Sequence, residues 1–187
     1  KWHLGAAPCF HPNARGFAEY VGFLGGGHQY LPETRELPPD APLWRTEYRA
    51  PLLKNKMPQP FDGYMTDLLS REAASFVTRH KDQPFFLYLA YNAVHTPLQA
   101  PQNYMARFAH IVDPNRRTYA AMTSAMDDGV GEVLAALRAG GIENDTLVWF
   151  FSDNGGTTTN VAPCCNAPLR GHKGSMYEGG IRVPFVL

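Results

Sequence analysis

Two unbroken apolar runs constrain the fold more than any other feature. PFFLYLAY (84–91) and TLVWFFS (146–152) show no period-two alternation of apolar and polar residues. A strand with one wet face alternates, whereas an unbroken run suits a strand covered on both faces, as in a parallel sheet between helices. Helical patterns surround the runs. In TDLLSREAASFVTRHK, Leu68, Leu69, Ala73, Phe76 and Val77 fall at helical spacing. Thr66 is the expected N-cap, and His80 and Lys81 suit the negative end of the helix dipole. NYMARFA predicts a short helix, and a long one follows from about Asn115 to Ala139, closed by Gly140 and Gly141. IRVPFVL reads as a further strand. Strand, helices, strand, loop, strand is the order of an α/β fold with a mainly parallel sheet. Residues 1–63 are rich in Gly and Pro, and GFLGGGHQYLPE and ELPPDAPLW read as loop. So long a loop usually surrounds an active site or belongs to a fold whose other half lies elsewhere.

Composition excludes some functions. A chain of 187 residues fits one domain. With 17 basic and 17 acidic residues the formal charge is zero, which argues against nucleic acid or an anionic membrane as partner, since both select a basic excess. No apolar run reaches the length of a membrane span. Cys9, Cys164 and Cys165 form no CxxC pair, and adjacent cysteines do not easily bridge, so they read as thiols. Asp127 and Asp128 read as a solvated helix face. His11, His28, His80 and His110 read as structural, with His28 in GGGHQY held open as a rim residue.

In open α/β sheets ligands bind beyond the carboxyl ends of the strands. His95 follows the first apolar run and Asp153 and Asn154 follow the second. A carboxylate and an amide oxygen suit a hard cation, although Asp-Asn-Gly-Gly is also an ordinary turn, which spacing alone favours. If KWHLG is a strand, Lys1 and His3 share one face, a pairing suited to an anion and proton transfer, with a solvent-facing edge as the plainer reading. In PLRGHKGSMYEGG, Arg170, His172 and Lys173 sit in a Gly-rich loop that could cradle a tetrahedral anion, and a solvated basic loop fits equally well.

The order of these segments is more specific than any one of them. KWHLG, GFLGGGH, PFFLYLAYNAVHTP, SDNGG and PLRGHKGSMYEGGIRVPF together resemble the type I, formylglycine-dependent sulfatases (arylsulfatases), from Lys1 to Leu187. The resemblance implies an alkaline-phosphatase-like α/β fold with a mainly parallel or mixed sheet and flanking helices, incomplete here. It also implies hydrolysis of aryl or carbohydrate sulfate esters. Lys1 matches a lysine that contacts nucleophile and sulfate, and His3 a histidine that hydrogen-bonds the nucleophile. His95 matches a histidine that binds sulfate and protonates the leaving alcohol, and Lys173 a second sulfate-binding lysine. Asp153 and Asn154 match two ligands of a divalent cation, usually Ca²⁺, with Mg²⁺ as the alternative.

The family's nucleophile arises from Cys or Ser in C/S-x-P-x-R. That motif is absent from these residues, since neither CFHPNAR nor CNAPLR has the spacing. The expectation is therefore that residues 1–187 are the central part of a catalytic domain, truncated at both ends, inactive alone and dependent on an upstream formylglycine. A sulfated small molecule or saccharide is the expected partner, and the resemblance suggests a periplasmic, secreted or lysosomal location. The alternatives are a phosphomonoesterase or phosphodiesterase of the same superfamily, which metal content separates, and a non-catalytic sulfated-glycan binder, which an upstream nucleophile motif would exclude.

Overall fold

The computed structural model describes residues 1–32, 48–60, 62–158 and 164–187. The loop expected at ELPPDAPLW lies outside them. In chain order the elements are β1 (Val21–Gly22), β2 (Leu52–Lys54), β3 (Met57–Gln59), α1 (Met65–His80), α2 (Gln102–Ala106), α3 (Pro114–Ala139), β4 (Phe150–Phe151), α4 (Glu178–Ile181) and β5 (Phe185–Val186).

Local signals account for the helices. Met65, Leu69, Ala73 and Val77 recur every fourth residue in α1 and are all buried, one stripe turned to the core. Thr66 is not the cap. Tyr64 holds that position, and Thr66 lies buried inside the first turn. Packing sets this start: the Met65 amide donates to the Tyr30 carbonyl at 2.9 Å, so a tertiary contact does a cap's work. In α3 the Asp113 carboxylate accepts from the Arg116 amide at 2.6 Å, with Pro114 at the first helical position. The helix closes with Gly141 N–H on Arg138 O at 3.0 Å and Ile142 N–H on Leu137 O at 3.1 Å. This is a Schellman closure with Gly141, not Gly140, in the left-handed region at φ +70°.

α1 packs on α3. Their approach depends on Gly129, where a Cβ would come within 2.1 Å of Ser70 Oγ. Ser70 Oγ also lies 2.8 Å from the Tyr91 hydroxyl, which ties the end of the first apolar run to the helix pair. The core joins Phe23, Tyr30, Leu52, Tyr64, Met65, Leu69, Tyr104, Ala121, Met122 and Ala125. Fully burying an aliphatic side chain such as Leu69 is worth about 1.5–3 kcal/mol.

The strands depart from expectation. Recorded pairs among the described residues are antiparallel: β1–β2–β3 in one sheet, β4–β5 in another. The run 84–91 is not assigned to a sheet, and KWHLG is not a strand. Burial alternates along the run where the sequence did not: Phe85, Leu87 and Leu89 are partly covered, and Phe86 and Tyr88 are exposed. A strand hidden on both faces needs cover on both sides, and most of this run's second face is open. The supposed loop region holds the hairpin β2–β3, whose turn places Asn55 at φ +54°, a conformation Asn tolerates.

Candidate active site

His95 sits in a turn at the end of the first apolar run, its amide donating to Asn92 O at 2.8 Å. The core fixes this turn from below. The buried Tyr30 hydroxyl donates to the Asn92 carbonyl and lies 2.9 Å from His95 O. The Tyr64 hydroxyl donates to Gln99 O at 3.0 Å. The His95 ring is fixed as well: Nδ1–H donates to Thr96 O at 2.8 Å, which leaves Nε2 as the working nitrogen. Burial first, then the charges of Lys173 and Lys1, hold the imidazole below its ordinary value. The bond to Thr96 and the charge of Asp153 oppose them.

Lys1 reaches the same rim. Its nitrogen donates to Ala90 O at 2.9 Å, near the carboxyl end of the run. Its side chain is only 13% exposed, with Nζ 4.0 Å from Asp153 Oδ2. Burial lowers its pKa and Lys173 adds to that, while Asp153 opposes. Asp153 itself is 73% exposed, so the pair is open to solvent on one side. Lys173 is exposed, and its amide donates to Gly156 O at 3.0 Å, which joins its loop to the turn after β4.

The structure thus gathers Lys1, His95, Asp153 and Lys173 within mutual electrostatic reach. His3 is placed differently from the strand expectation. Its φ is +57°, so the backbone turns at this residue and the period-two argument fails. Its amide donates to Leu24 O at 3.0 Å, and its ring rests on Gly26, where a Cβ would come within 2.6 Å of Nε2. His28 is not on the rim: it is buried, with its ring nitrogens 2.8 Å from the carbonyl oxygens of Gln29 and Ala50. Arg170 lies over the Tyr177 ring at 3.8 Å.

Asn154 Nδ2 donates to Gly155 O at 3.0 Å, which leaves Oδ1 with open lone pairs beside an exposed carboxylate. Two oxygen donors suit part of a hard-cation shell, which takes six to eight. Among the described residues no group of three or more His, Cys, Asp or Glu side chains gathers to complete it.

Three residues here carried no sequence signal. The Tyr48 ring lies 6.4 Å from that of His95. Tyr30 holds the His95 turn, and Asn166 bonds to Gly156 and Gly171. Tyr30 and Tyr48 act across long sequence separations that no local pattern marks, and Asn166 acts on residues ten and five positions away.

The chain matches the sulfatase family model over residues 1–187. It is 37% identical to arylsulfatase J of Mus musculus, over 97% of this chain and 30% of that protein. It is 32% identical to N-acetylgalactosamine-6-sulfatase of Mus musculus, over 100% of this chain and 36% of that protein. The crystal structure of Ps i-CgsB in complex with k-i-k-neocarrahexaose superposes with a TM-score of 0.88 at 46% identity, covering 98% of this chain and 42% of that one. The chain therefore spans about a third of the length of these curated relatives. No helix among the described residues is long and apolar enough to cross a membrane.

Proposed function

Because the chain belongs to the sulfatase family and shares its alkaline-phosphatase-like α/β fold, we propose that residues 1–187 are the central part of a catalytic domain that hydrolyses sulfuric esters. The observation that carries this reading is the meeting of Lys1, His95, Asp153 and Lys173 at one rim. Two cations that both act on one imidazole suit a tetrahedral anion. The complex of Ps i-CgsB with k-i-k-neocarrahexaose supports a saccharide as the carrier of the ester. A periplasmic, secreted or lysosomal location goes with this reading.

In this reading Lys1 and Lys173 bind sulfate oxygens, and Lys1, largely withdrawn from water, does so at a lower local dielectric. Preorganised donors of this kind are worth about 10²–10³ in rate each. His95 binds sulfate as well and delivers a proton from Nε2 to the leaving oxygen, because Nδ1 is committed to Thr96. The approach of an anion raises the imidazole's proton affinity and offsets the two lysines. His3 keeps the role of hydrogen-bonding the nucleophile. Asp153 and Asn154 would hold a divalent cation, Ca²⁺ or alternatively Mg²⁺. When bound, the cation would offset charge on the sulfate oxygens, and a formylglycine outside these residues would supply the attacking oxygen.

The test is release of inorganic sulfate by the full-length protein from sulfated saccharides and aryl sulfates, with phosphate monoesters as controls. Sulfate release that needs Ca²⁺ is the expected result. Phosphate release with bound zinc, and no sulfate, would overturn the reading.

A further inference from the structure

The turn that carries Asp153 and Asn154 and the loop that carries Lys173 are held together by one side chain. Asn166 Oδ1 accepts from the Gly156 amide at 2.9 Å. Its Nδ2 donates to Gly156 O at 2.9 Å and to Gly171 O at 3.2 Å. Gly156 O also receives the Lys173 amide at 3.0 Å. One amide thus grips both polar groups of a residue two places after Asn154, and a carbonyl two places before Lys173.

The surrounding backbone leaves no slack. A Cβ at Gly155 would meet Gly179 O at 1.8 Å, and one at Gly156 would meet the Cys164 Cβ at 2.5 Å. A Cβ at Gly179 would meet Gly171 O at 2.3 Å. The Gly155 amide donates to Gly180 O at 3.0 Å, and the Gly179 amide to Arg170 O at 2.7 Å. The two loops are therefore bonded and packed as one unit, with Asn166 as its central clamp. A displaced turn would carry Lys173 with it.

We propose that Asn166 is a positioning residue that couples the Asp153–Asn154 turn to Lys173, so that cation binding at the turn and anion binding at the lysine are linked. This rests on the reading of Asp153 and Asn154 as cation ligands and Lys173 as an anion-binding residue. Linkage is reciprocal: Ca²⁺ tightens sulfate, and sulfate tightens Ca²⁺ by the same factor. Asn166 touches neither ion.

The experiment uses the full-length protein with Asn166→Ala, Asn166→Asp, Lys173→Ala and the Asn166→Ala/Lys173→Ala double variant. Ca²⁺ alone, sulfate alone and sulfate in the presence of Ca²⁺ are titrated by calorimetry, and kcat/KM is measured in parallel. Asn166→Ala should weaken Ca²⁺ and shrink the Ca²⁺-dependent gain in sulfate affinity by about tenfold, as for other groups that orient ligands. In the Lys173→Ala background, at saturating Ca²⁺, it should change kcat/KM by less than about threefold, because residues acting through one another are not additive. Asn166→Asp keeps the bond from the Gly156 amide but sets a carboxylate oxygen against the carbonyls of Gly156 and Gly171, and should weaken the linkage at least as much as alanine; it carries the test if the alanine variant unfolds. Independent, multiplicative losses, or unaltered Ca²⁺ affinity and linkage, would overturn the proposal. If the wild type hydrolyses no sulfate ester, the functional reading fails, and the calorimetric linkage alone decides the role of Asn166. A wild type that binds neither ion overturns both.

Discussion

At His95 the ring's tautomer, its burial and its charged neighbours all bear on one proton. Loss of a general acid costs about 10²–10⁴ in rate, and the cost rises with the basicity of the leaving group. In the full-length protein His95→Ala should therefore slow alkyl and saccharide sulfates far more than nitrophenyl sulfate. Equal losses across such a series would contradict proton donation from Nε2. The pH behaviour has a definite sign. The folded-state pKa lies below the ordinary 6.5, chiefly because of burial. Between the folded value and 6.5 the unfolded chain binds more of this proton, so this group's contribution to stability rises with pH across that window. It is unfavourable below the folded value and absent above 6.5. An NMR titration should give a His95 midpoint below 6.5, moving up when sulfate is added; a midpoint at or above 6.5 without anion would refute the environment described. His95 stood out in the sequence because a polar residue just after an unbroken apolar run is expected at a strand's carboxyl end. His3 was misplaced because alternation assumes extended backbone, and one left-handed residue removes that assumption.

At the scale of elements, the helices follow local rules and should respond to local substitutions. Asp113→Ala removes the N-cap bond of α3 and should cost about 1 kcal/mol in chemical denaturation. Gly141→Ala places a Cβ on left-handed backbone and should cost about 1–2 kcal/mol. Gly129→Ala acts differently: its helix propensity improves, yet the new methyl meets Ser70 and the Tyr91 hydroxyl. Overpacking typically costs about 1–3 kcal/mol, so a net loss is expected. A stabilised Gly129→Ala variant would mean that α1 and α3 separate readily. The bounds of α1 and α3 were readable within a residue or so, from the apolar spacing in α1 and the glycine pair that follows α3. Thr66 misled because the first turn of α1 is set by the Met65–Tyr30 bond. The hairpin β2–β3 was hidden because its strands are three residues each and Pro58 lies within one of them.

At the scale of the molecule, apolar surface stays open. Phe86, Tyr88, Trp149, Phe151, Phe185, Val186 and Leu187 are all exposed. Exposed apolar strands invite association, so this polypeptide produced by itself should self-associate, and sedimentation velocity should show average mass rising with concentration. A strictly monomeric species at high concentration would show that these faces are not sticky. The amino-acid sequence alone determined the helices and the family, and it pointed to His95, Asp153 and Asn154 as rim residues, because periodicity and motif order are properties of neighbouring residues. Only the tertiary structure decided which nitrogen of His95 is available, that Lys1 and Asp153 stand 4.0 Å apart, and that Asn166 binds two loops into one body. Those are distances between segments brought together by packing, and spacing along a chain does not encode them.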